Sequence, residues 1–241
     1  SQRVRGLLGG LEGSPLSLEP RCEDIGEFMG IGRQQVTFRS APEWDACGTL
    51  LTPRDPNGSV IVCVPGHGAG LAPNVGLMPE DYQHHFGPRL AKLGATVLVL
   101  EPISFGCARS APVPETPEQT TCHRDAMAVL MLGETLLGWR VRDAMAAISL
   151  LGTRPGVEMD RIGICGISGG GTVSFFTTIV DPRVRAAAIS GYYCTFEASI
   201  LGVEHCVDNY VPGLGLVAEM PDLVSAIAPR PLITESGSED P

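Results

Sequence analysis

Gly166-Ile-Ser-Gly-Gly170 has the pattern G-x-S-x-G, which places a serine between small residues at a sharp turn. The apolar run at 162–165 predicts a buried strand before the turn, and residues 172–180 predict a helix after it. This arrangement would lift the hydroxyl of Ser168 above a sheet, where it can act as a nucleophile. The N–H of Gly169 would then face an oxyanion formed by the attack. The alternatives are a simple packing turn and a turn that binds a phosphate. No lysine follows the glycines in this sequence, as a phosphate-binding P-loop would require.

A second glycine-rich segment, Pro65-Gly-His-Gly-Ala-Gly70, follows an apolar run at 59–64 that predicts a strand buried on both faces. Ligands bind at the carboxyl ends of strands in parallel sheets, so this loop should border the same site as Ser168. We expect the backbone N–H of His67, or of a neighbour within one residue, to be the second oxyanion donor. The imidazole of His67 is expected to be structural.

A serine nucleophile needs a base and an acid that orients the base. Asp240 lies in the turn at 237–241, after the next-but-one predicted strand beyond Ser168, which is the expected place for the acid. The alternatives are a solvated turn carboxylate, or Glu239 in the same role. No histidine follows Asp240. We therefore expect the domain to be incomplete at its C-terminal end, with His205, in a predicted loop on the acid side, as the fallback base.

The predicted strands and helices alternate, which favours an α/β fold with a doubly wound, mostly parallel sheet covered on both faces. Strands are expected at 35–39, 47–52, 59–64, 95–100, 162–165, 184–190 and 231–236. Helices are expected at 81–93, at 121–151 with a break near Gly133 or Gly138, and at 172–180, with a helical turn at 221–228. Residues 1–34 are interpreted as a helical lead-in with glycine breaks, and residues 35–241 as one α/β domain.

The composition narrows the function classes. The chain has 241 residues, which suits one α/β domain, and a formal net charge of −10. This charge argues against nucleic acid or an anionic membrane surface as a partner. No apolar run is long enough for a transmembrane helix, and no signal peptide is visible. A cytoplasmic location is the expectation, although secretion stays open because the chain begins with Ser1 rather than Met.

The eight cysteines include no C-x-x-C pair, which argues against a zinc ribbon or a thioredoxin-type site. We expect reduced thiols, with Cys63 and Cys165 buried in core strands. A disulfide such as Cys194–Cys206 is compatible with the sequence but cannot be read from it. No feature of the sequence requires a metal ion or an organic cofactor.

Beyond the single motif, four segments stand out: Arg161-Ile-Gly-Ile-Cys-Gly-Ile-Ser-Gly-Gly-Gly171, Asn209-Tyr-Val-Pro-Gly213, Ala218-Glu-Met-Pro-Asp222 and Ala226-Ile-Ala-Pro-Arg-Pro-Leu-Ile-Thr-Glu-Ser-Gly-Ser-Glu-Asp-Pro241. Together they resemble the dienelactone hydrolase and acetyl xylan esterase-like branch of the α/β-hydrolases. The resemblance covers roughly residues 35–241. It implies the strand order 1-2-4-3-5-6-7-8, with the last strand and helix missing here. It also implies Ser168 as nucleophile, Asp240 as acid, and oxyanion amides from Gly169 and the loop at 66–68. Dienelactone hydrolases proper use a cysteine nucleophile, so Ser168 indicates the serine esterases of the branch.

These observations predict a serine carboxylesterase that hydrolyses small acyl esters, such as acetyl esters, through an acyl-enzyme. The expected partner is a small-molecule ester. The alternatives are a peptidase of the same fold and a catalytically incomplete, ligand-binding protein, which the missing histidine favours. The strand at 231–236 would be an open sheet edge, so self-association through that edge is a further expectation.

Overall fold

The computed structural model describes residues 1–11, 17–111, 116 and 119–238. These residues build one eight-stranded sheet flanked by helices. The strands are β1 (Arg21–Phe28), β2 (Ile31–Ala41), β3 (Trp44–Thr52), β4 (Val60–Val64), β5 (Thr96–Leu100), β6 (Ile162–Ile167), β7 (Ala186–Ser190) and β8 (Leu232–Glu235). The α-helices are α1 (Gln2–Leu8), α2 (Phe86–Ala91), α3 (Cys122–Leu130), α4 (Leu136–Gly152), α5 (Gly169–Val180) and α6 (Met220–Val224).

The sheet has the order β1-β2-β3-β5-β4-β6-β7-β8. Its first three strands and β5 pair antiparallel, whereas β5, β4, β6, β7 and β8 pair parallel. The seven predicted strands all form and are β2 to β8. Numbered from β2, they follow the predicted order 1-2-4-3-5-6-7, and β1 adds one further strand beside β2. Within the described part of the chain, β8 pairs only with β7 and is therefore an edge strand.

The core lies on both faces of the sheet because the side chains of each buried strand alternate between them. Leu98 and Leu100 of β5 belong to the large cluster that includes α1, α4 and α5, whereas Val97 and Val99 pack with α2. Helix α5 contains no charged residue and is buried from Gly170 to Val180. A helix without a charged face must be covered by neighbours, and α5 packs between the sheet and α4. The strand before Ser168 and the helix after it are therefore held rigidly.

Three predictions about local structure are corrected. The lead-in at 1–34 is helical only at α1, since β1 is a strand and β2 begins at Ile31. The helix predicted at 81–93 is confined to α2, because His84 and His85 both have positive φ. The helix predicted at 121–151 is interrupted around Gly133, one of the two positions at which a break was predicted. It therefore forms two helices, α3 and α4.

The expectation of reduced thiols is wrong for Cys47 and Cys107, which form a disulfide between β3 and the loop after β5. The Cys194–Cys206 pairing does not form, since both of these cysteines are free. Cys63 and Cys165 face each other across β4 and β6, with 3.4 Å between their sulfur atoms. Both lie in strands of the sheet as predicted, but only Cys63 is buried, whereas Cys165 is half-buried. None of the described helices combines the length and the apolar character needed to cross a bilayer.

Candidate active site

Ser168 occupies the turn between β6 and α5 with φ 54° and ψ −122°. A positive φ is unfavourable for a residue with a Cβ atom, so the surrounding structure must hold it in place. The Ser168 N–H donates to the carbonyl oxygen of Ser190 at the end of β7 (2.9 Å), and its own carbonyl oxygen accepts from the Thr172 N–H (3.0 Å). The strand, tight turn and helix predicted around Ser168 are thereby confirmed.

Glycine is required on both sides of this turn because β6, α5 and the end of β4 approach each other closely. A Cβ atom at Gly166 would overlap the carbonyl group of Gly170 and lie 2.6 Å from the hydroxyl oxygen of Ser174. A Cβ atom at Gly170 would overlap the carbonyl oxygen of Val64. The two outer glycines of the G-x-S-x-G pattern therefore serve packing, and this packing fixes where the serine side chain emerges.

The loop after β4 lies directly against the turn. A Cβ atom at Gly66 would lie 3.2 Å from the Cβ of Ser168, and one at Gly169 would lie 2.7 Å from Nδ1 of His67. The Gly66 N–H donates to Oε1 of Gln83 (2.9 Å), and the His67 carbonyl oxygen accepts from the hydroxyl of Tyr82 (2.9 Å). These contacts fix the loop through its own backbone.

Two backbone N–H groups remain free beside the serine. Among the described residues, neither the N–H of His67 nor that of Gly169 has a hydrogen-bond partner. The Gly169 N–H is one of the unpaired donors at the start of α5. Unpaired donors next to a nucleophile are available for a negatively charged oxygen. Both predicted oxyanion donors are thus in the predicted neighbourhood.

A cavity of about 190 Å³ opens beside Ser168, and its walls include His67, Gly169, Tyr192, His205 and Asn209. A larger cavity of about 430 Å³ lies at β6, β7 and β8 and does not include Ser168. We take the smaller cavity as the candidate site because it holds the nucleophile and both free N–H groups.

The predicted base and acid are only partly located. His205 lines the same cavity as Ser168. However, its Nε2 lies 3.1 Å from the hydroxyl of Ser199. The hydroxyl of Ser168 makes no hydrogen bond among the described residues, to His205 or to any other group. Asp240 and Glu239 lie outside the described residues. The end of β8 does lie beside this region, because the Gly191 N–H donates to the carbonyl oxygen of Glu235 (2.8 Å).

A buried ionic network lies beneath the site. The carboxylate of Asp208 accepts a hydrogen bond from Arg140 of α4, and both side chains are 3% exposed. Oδ2 of Asp208 also lies 3.4 Å from Nε2 of His67. Burial would raise the pKa of Asp208, but Arg140 and His67 together hold it well below its usual range. Burial alone would lower the pKa of His67. Its contacts with Asp208 and Cys122 outweigh this effect and raise the pKa to about 9.

Two cysteines complete this network. The sulfur atoms of Cys122 and Cys206, Nε2 or Nδ1 of His67 and a carboxylate oxygen of Asp208 all lie within 4.8 Å of one another. The interaction with Cys206, together with His67 and Arg140, lowers the pKa of the buried Cys122 thiol to about 4. His67, Cys122, Cys206 and Asp208 are called the donor cluster below. No ligand spacing in the sequence indicated it. The one available signal was Arg140, which stands with Arg142 and Asp143 in the otherwise uncharged helix α4, because a buried arginine requires a buried acid.

No protein-family model matches the chain. Among curated proteins, the chain is 26% identical over 159 residues to a Bacillus subtilis (strain 168) protein named "Putative hydrolase YtaP". The match covers 64% of this chain and 50% of that protein. The chain thus spans about half the length of this curated relative.

The similar solved structures include several esterases. A "putative acetyl xylan esterase" from Bacteroides fragilis matches with a TM-score of 0.83 and 20% identity, covering 98% of this chain and 67% of that one. A glucuronoyl esterase from Solibacter usitatus matches with a TM-score of 0.65 and 16% identity, covering 100% of this chain and 74% of that one. At such identities the likeness establishes the fold, and it agrees with the resemblance found in the sequence. The chain is therefore an α/β-hydrolase-fold protein, whose structural neighbours include acetyl xylan and glucuronoyl esterases.

Proposed function

We propose that the protein is a serine carboxylesterase that transfers a small acyl group, such as acetyl, from an ester to water. The observation that carries the proposal is the position of Ser168. Its positive φ directs the side chain from a strand-to-helix turn into a cavity bordered by two unpaired N–H groups. A strained serine beside unpaired donors is the arrangement that acyl transfer requires. The esterases among the structural neighbours support the same reaction class.

In the proposed mechanism, the Ser168 hydroxyl oxygen attacks the ester carbonyl carbon while a base takes its proton. The N–H groups of His67 and Gly169 bind the carbonyl oxygen as it becomes negatively charged. The alcohol leaves with the proton, and water then hydrolyses the acyl-serine by the same route. Asp240 is the proposed acid. His205 is the described histidine to test first as the base, because it lines the cavity and none of the described carboxylates pairs with it.

The size of the cavity supports a small acyl group. Pockets for drug-sized ligands have volumes of roughly 300–1,000 Å³. The cavity at Ser168 has about 190 Å³, which accommodates an acetyl group. A neighbouring cavity of about 450 Å³ shares Gly191, Tyr192, Glu204 and His205 with it and offers room for the alcohol part of the ester. We therefore expect p-nitrophenyl acetate to be a better substrate, by kcat/KM, than p-nitrophenyl octanoate.

The test is labelling of the full protein with a fluorophosphonate, followed by peptide mapping. Ser168 should carry the label, and Ser168→Ala should abolish both labelling and p-nitrophenyl acetate hydrolysis. Ser174→Ala is the matched control, because this serine lies on α5 and its buried hydroxyl makes no hydrogen bond within the described part of the chain. The control should keep the label. A folded protein that is neither labelled nor active would overturn the proposal.

The second candidate is a protein that binds a ligand in this cavity without turnover. It is favoured by the Ser168 hydroxyl, which makes no hydrogen bond to a histidine among the described residues. Ester analogues would then raise the thermal stability of the protein while fluorophosphonate left Ser168 unmodified. Cleavage of aminoacyl substrates in preference to acetyl esters would instead indicate a peptidase of the same fold.

A further inference from the structure

The donor cluster joins three segments that are far apart in the sequence. His67 belongs to the loop after β4, Cys122 begins α3, and Cys206 and Asp208 lie in the loop before α6. Cys122 and Asp208 are buried, whereas His67 and Cys206 are half-buried and line the cavity at Ser168. The cluster is therefore enclosed by protein but can be reached from the cavity.

The donor types are those that zinc prefers. Thiolate sulfur, imidazole nitrogen and carboxylate oxygen are the ligands of protein zinc sites, and four protein ligands are typical of structural zinc. Zinc–ligand distances of about 2.0–2.3 Å place the ligand atoms of a tetrahedron roughly 3.3–3.8 Å apart. Here Nε2 of His67 lies 3.4 Å from Oδ2 of Asp208, and Sγ of Cys122 lies 4.0 Å from the same oxygen. The four side chains would need only small rotations to bind one ion.

A second observation points to a ligand at this place. Among the described residues, Nε2 of His67 is buried and makes no hydrogen bond, although it lies 3.4 Å from Oδ2 of Asp208 and close to both cysteine sulfurs. A buried imidazole nitrogen that makes no hydrogen bond is unfavourable, and a metal ion bound to it would satisfy it.

The surroundings already hold the donors in place. Nη2 of Arg140 lies 3.1 Å from Sγ of Cys122, and Nη1 donates to Oδ2 of Asp208. Oδ1 of Asp208 accepts from Nδ2 of Asn209 (3.1 Å). Hydrogen bonds of this kind to thiolate and carboxylate ligands orient them in known metal sites.

The charges would also balance. When the imidazole of His67 gives up its proton to bind the ion, one zinc ion with two thiolates, one carboxylate and the neutral imidazole has a net charge of −1. The guanidinium of Arg140, itself 3% exposed, supplies the compensating positive charge. A buried group of charges that sums to zero avoids the cost of an uncompensated ion.

We propose that His67, Cys122, Cys206 and Asp208 form a structural zinc site beneath the active-site turn. The ion would tie the loop after β4 and the loop before α6 to α3. Because His67 packs on Gly169, the same ion would fix the wall of the cavity beside Ser168. The proposal does not depend on the esterase reaction. It also differs from the sequence-based expectation, which found no C-x-x-C pair and no requirement for a metal.

The test measures zinc in the full protein by plasma mass spectrometry, after chelator treatment, addition of Zn²⁺ and desalting. We expect one zinc per chain, and Cys206→Ser should lose it. Cys194→Ser is the matched control, because Cys194 is a free, exposed cysteine outside the cluster, and it should keep the ion. Cobalt in place of zinc should give a thiolate-to-cobalt charge-transfer band that Cys206→Ser weakens.

A thiol count on the wild-type protein avoids any misfolding of a variant. Zinc should protect two cysteines from a thiol reagent, and a chelator should expose them. Absence of stoichiometric zinc, retention of zinc by Cys206→Ser, or a Cys122–Cys206 disulfide in place of the ion would each overturn the proposal. Ser168→Ala should bind zinc like the wild type, so a failed esterase assignment and a failed zinc site remain distinguishable.

Discussion

Gly169→Ala tests the contact between His67 and the turn at Ser168. The new Cβ atom would lie 2.7 Å from both Nδ1 and Cε1 of the imidazole, well inside normal van der Waals contact of about 3.5–4.0 Å. Overpacking of this kind costs about 1–3 kcal/mol. The same substitution removes a glycine from a helix, which stabilises by up to about 1 kcal/mol. The two effects must therefore be separated by a control.

Gly6→Ala provides this control, because Gly6 lies in α1 and a Cβ atom added there would have no neighbour within 4 Å. Both variants carry the gain in helix propensity, so their difference in unfolding free energy isolates the clash. Urea denaturation should find Gly169→Ala less stable than Gly6→Ala by about 1–3 kcal/mol. In the background of His67→Ala, where the ring is absent, the destabilisation by Gly169→Ala should vanish.

The same variant tests the proposed oxyanion site. If the clash displaces the His67 loop, one donor moves away from the developing charge, and kcat for p-nitrophenyl acetate should fall about 10²–10³-fold. Gly6→Ala should leave kcat unchanged. A Gly169→Ala protein that is as stable and as active as Gly6→Ala would refute the close contact between His67 and Gly169.

Two further predictions concern buried charges. In the presence of a chelator, Asp208→Asn should lower the free energy of unfolding in urea by about 3–5 kcal/mol, because it leaves the buried Arg140 without its carboxylate. The control is Glu27→Gln, which breaks the exposed pair with Arg54 and should lower the free energy of unfolding by no more than about 1 kcal/mol. Equal losses in the two variants would contradict the buried network. Burial raises the pKa of Glu101 to about 8, so the folded protein favours its neutral form. Its contribution to stability is then complete below about pH 4.3, the usual range of glutamate, and is lost as the pH rises through about 8. Glu101→Gln should flatten this decline in denaturation measured across that range, and an unchanged pH profile would show that another group causes it.

Local patterns were sufficient for most of the sheet. Strands β4, β5, β6 and β7 are continuous apolar runs between turn residues, so burial and secondary structure can be read together. Strand β1 was missed because most of its residues are exposed and several are charged. It is held by hydrogen bonds to β2 rather than by burial, and pairing with a distant segment leaves no periodic signal in the strand itself.

The sequence alone determined the turn at Ser168 and the loop at His67. Both are local: glycine spacing, an apolar strand before and a helix or loop after are sufficient to predict a sharp turn at the carboxyl end of a parallel sheet. Only the tertiary structure decided what lies beneath them. Arg140, Asp208, Cys122 and Cys206 come from separate segments, and nothing in their spacing brings them together. They meet because α3, α4 and the loop before α6 pack against the same strand ends, where a buried cation must find its counter-charges.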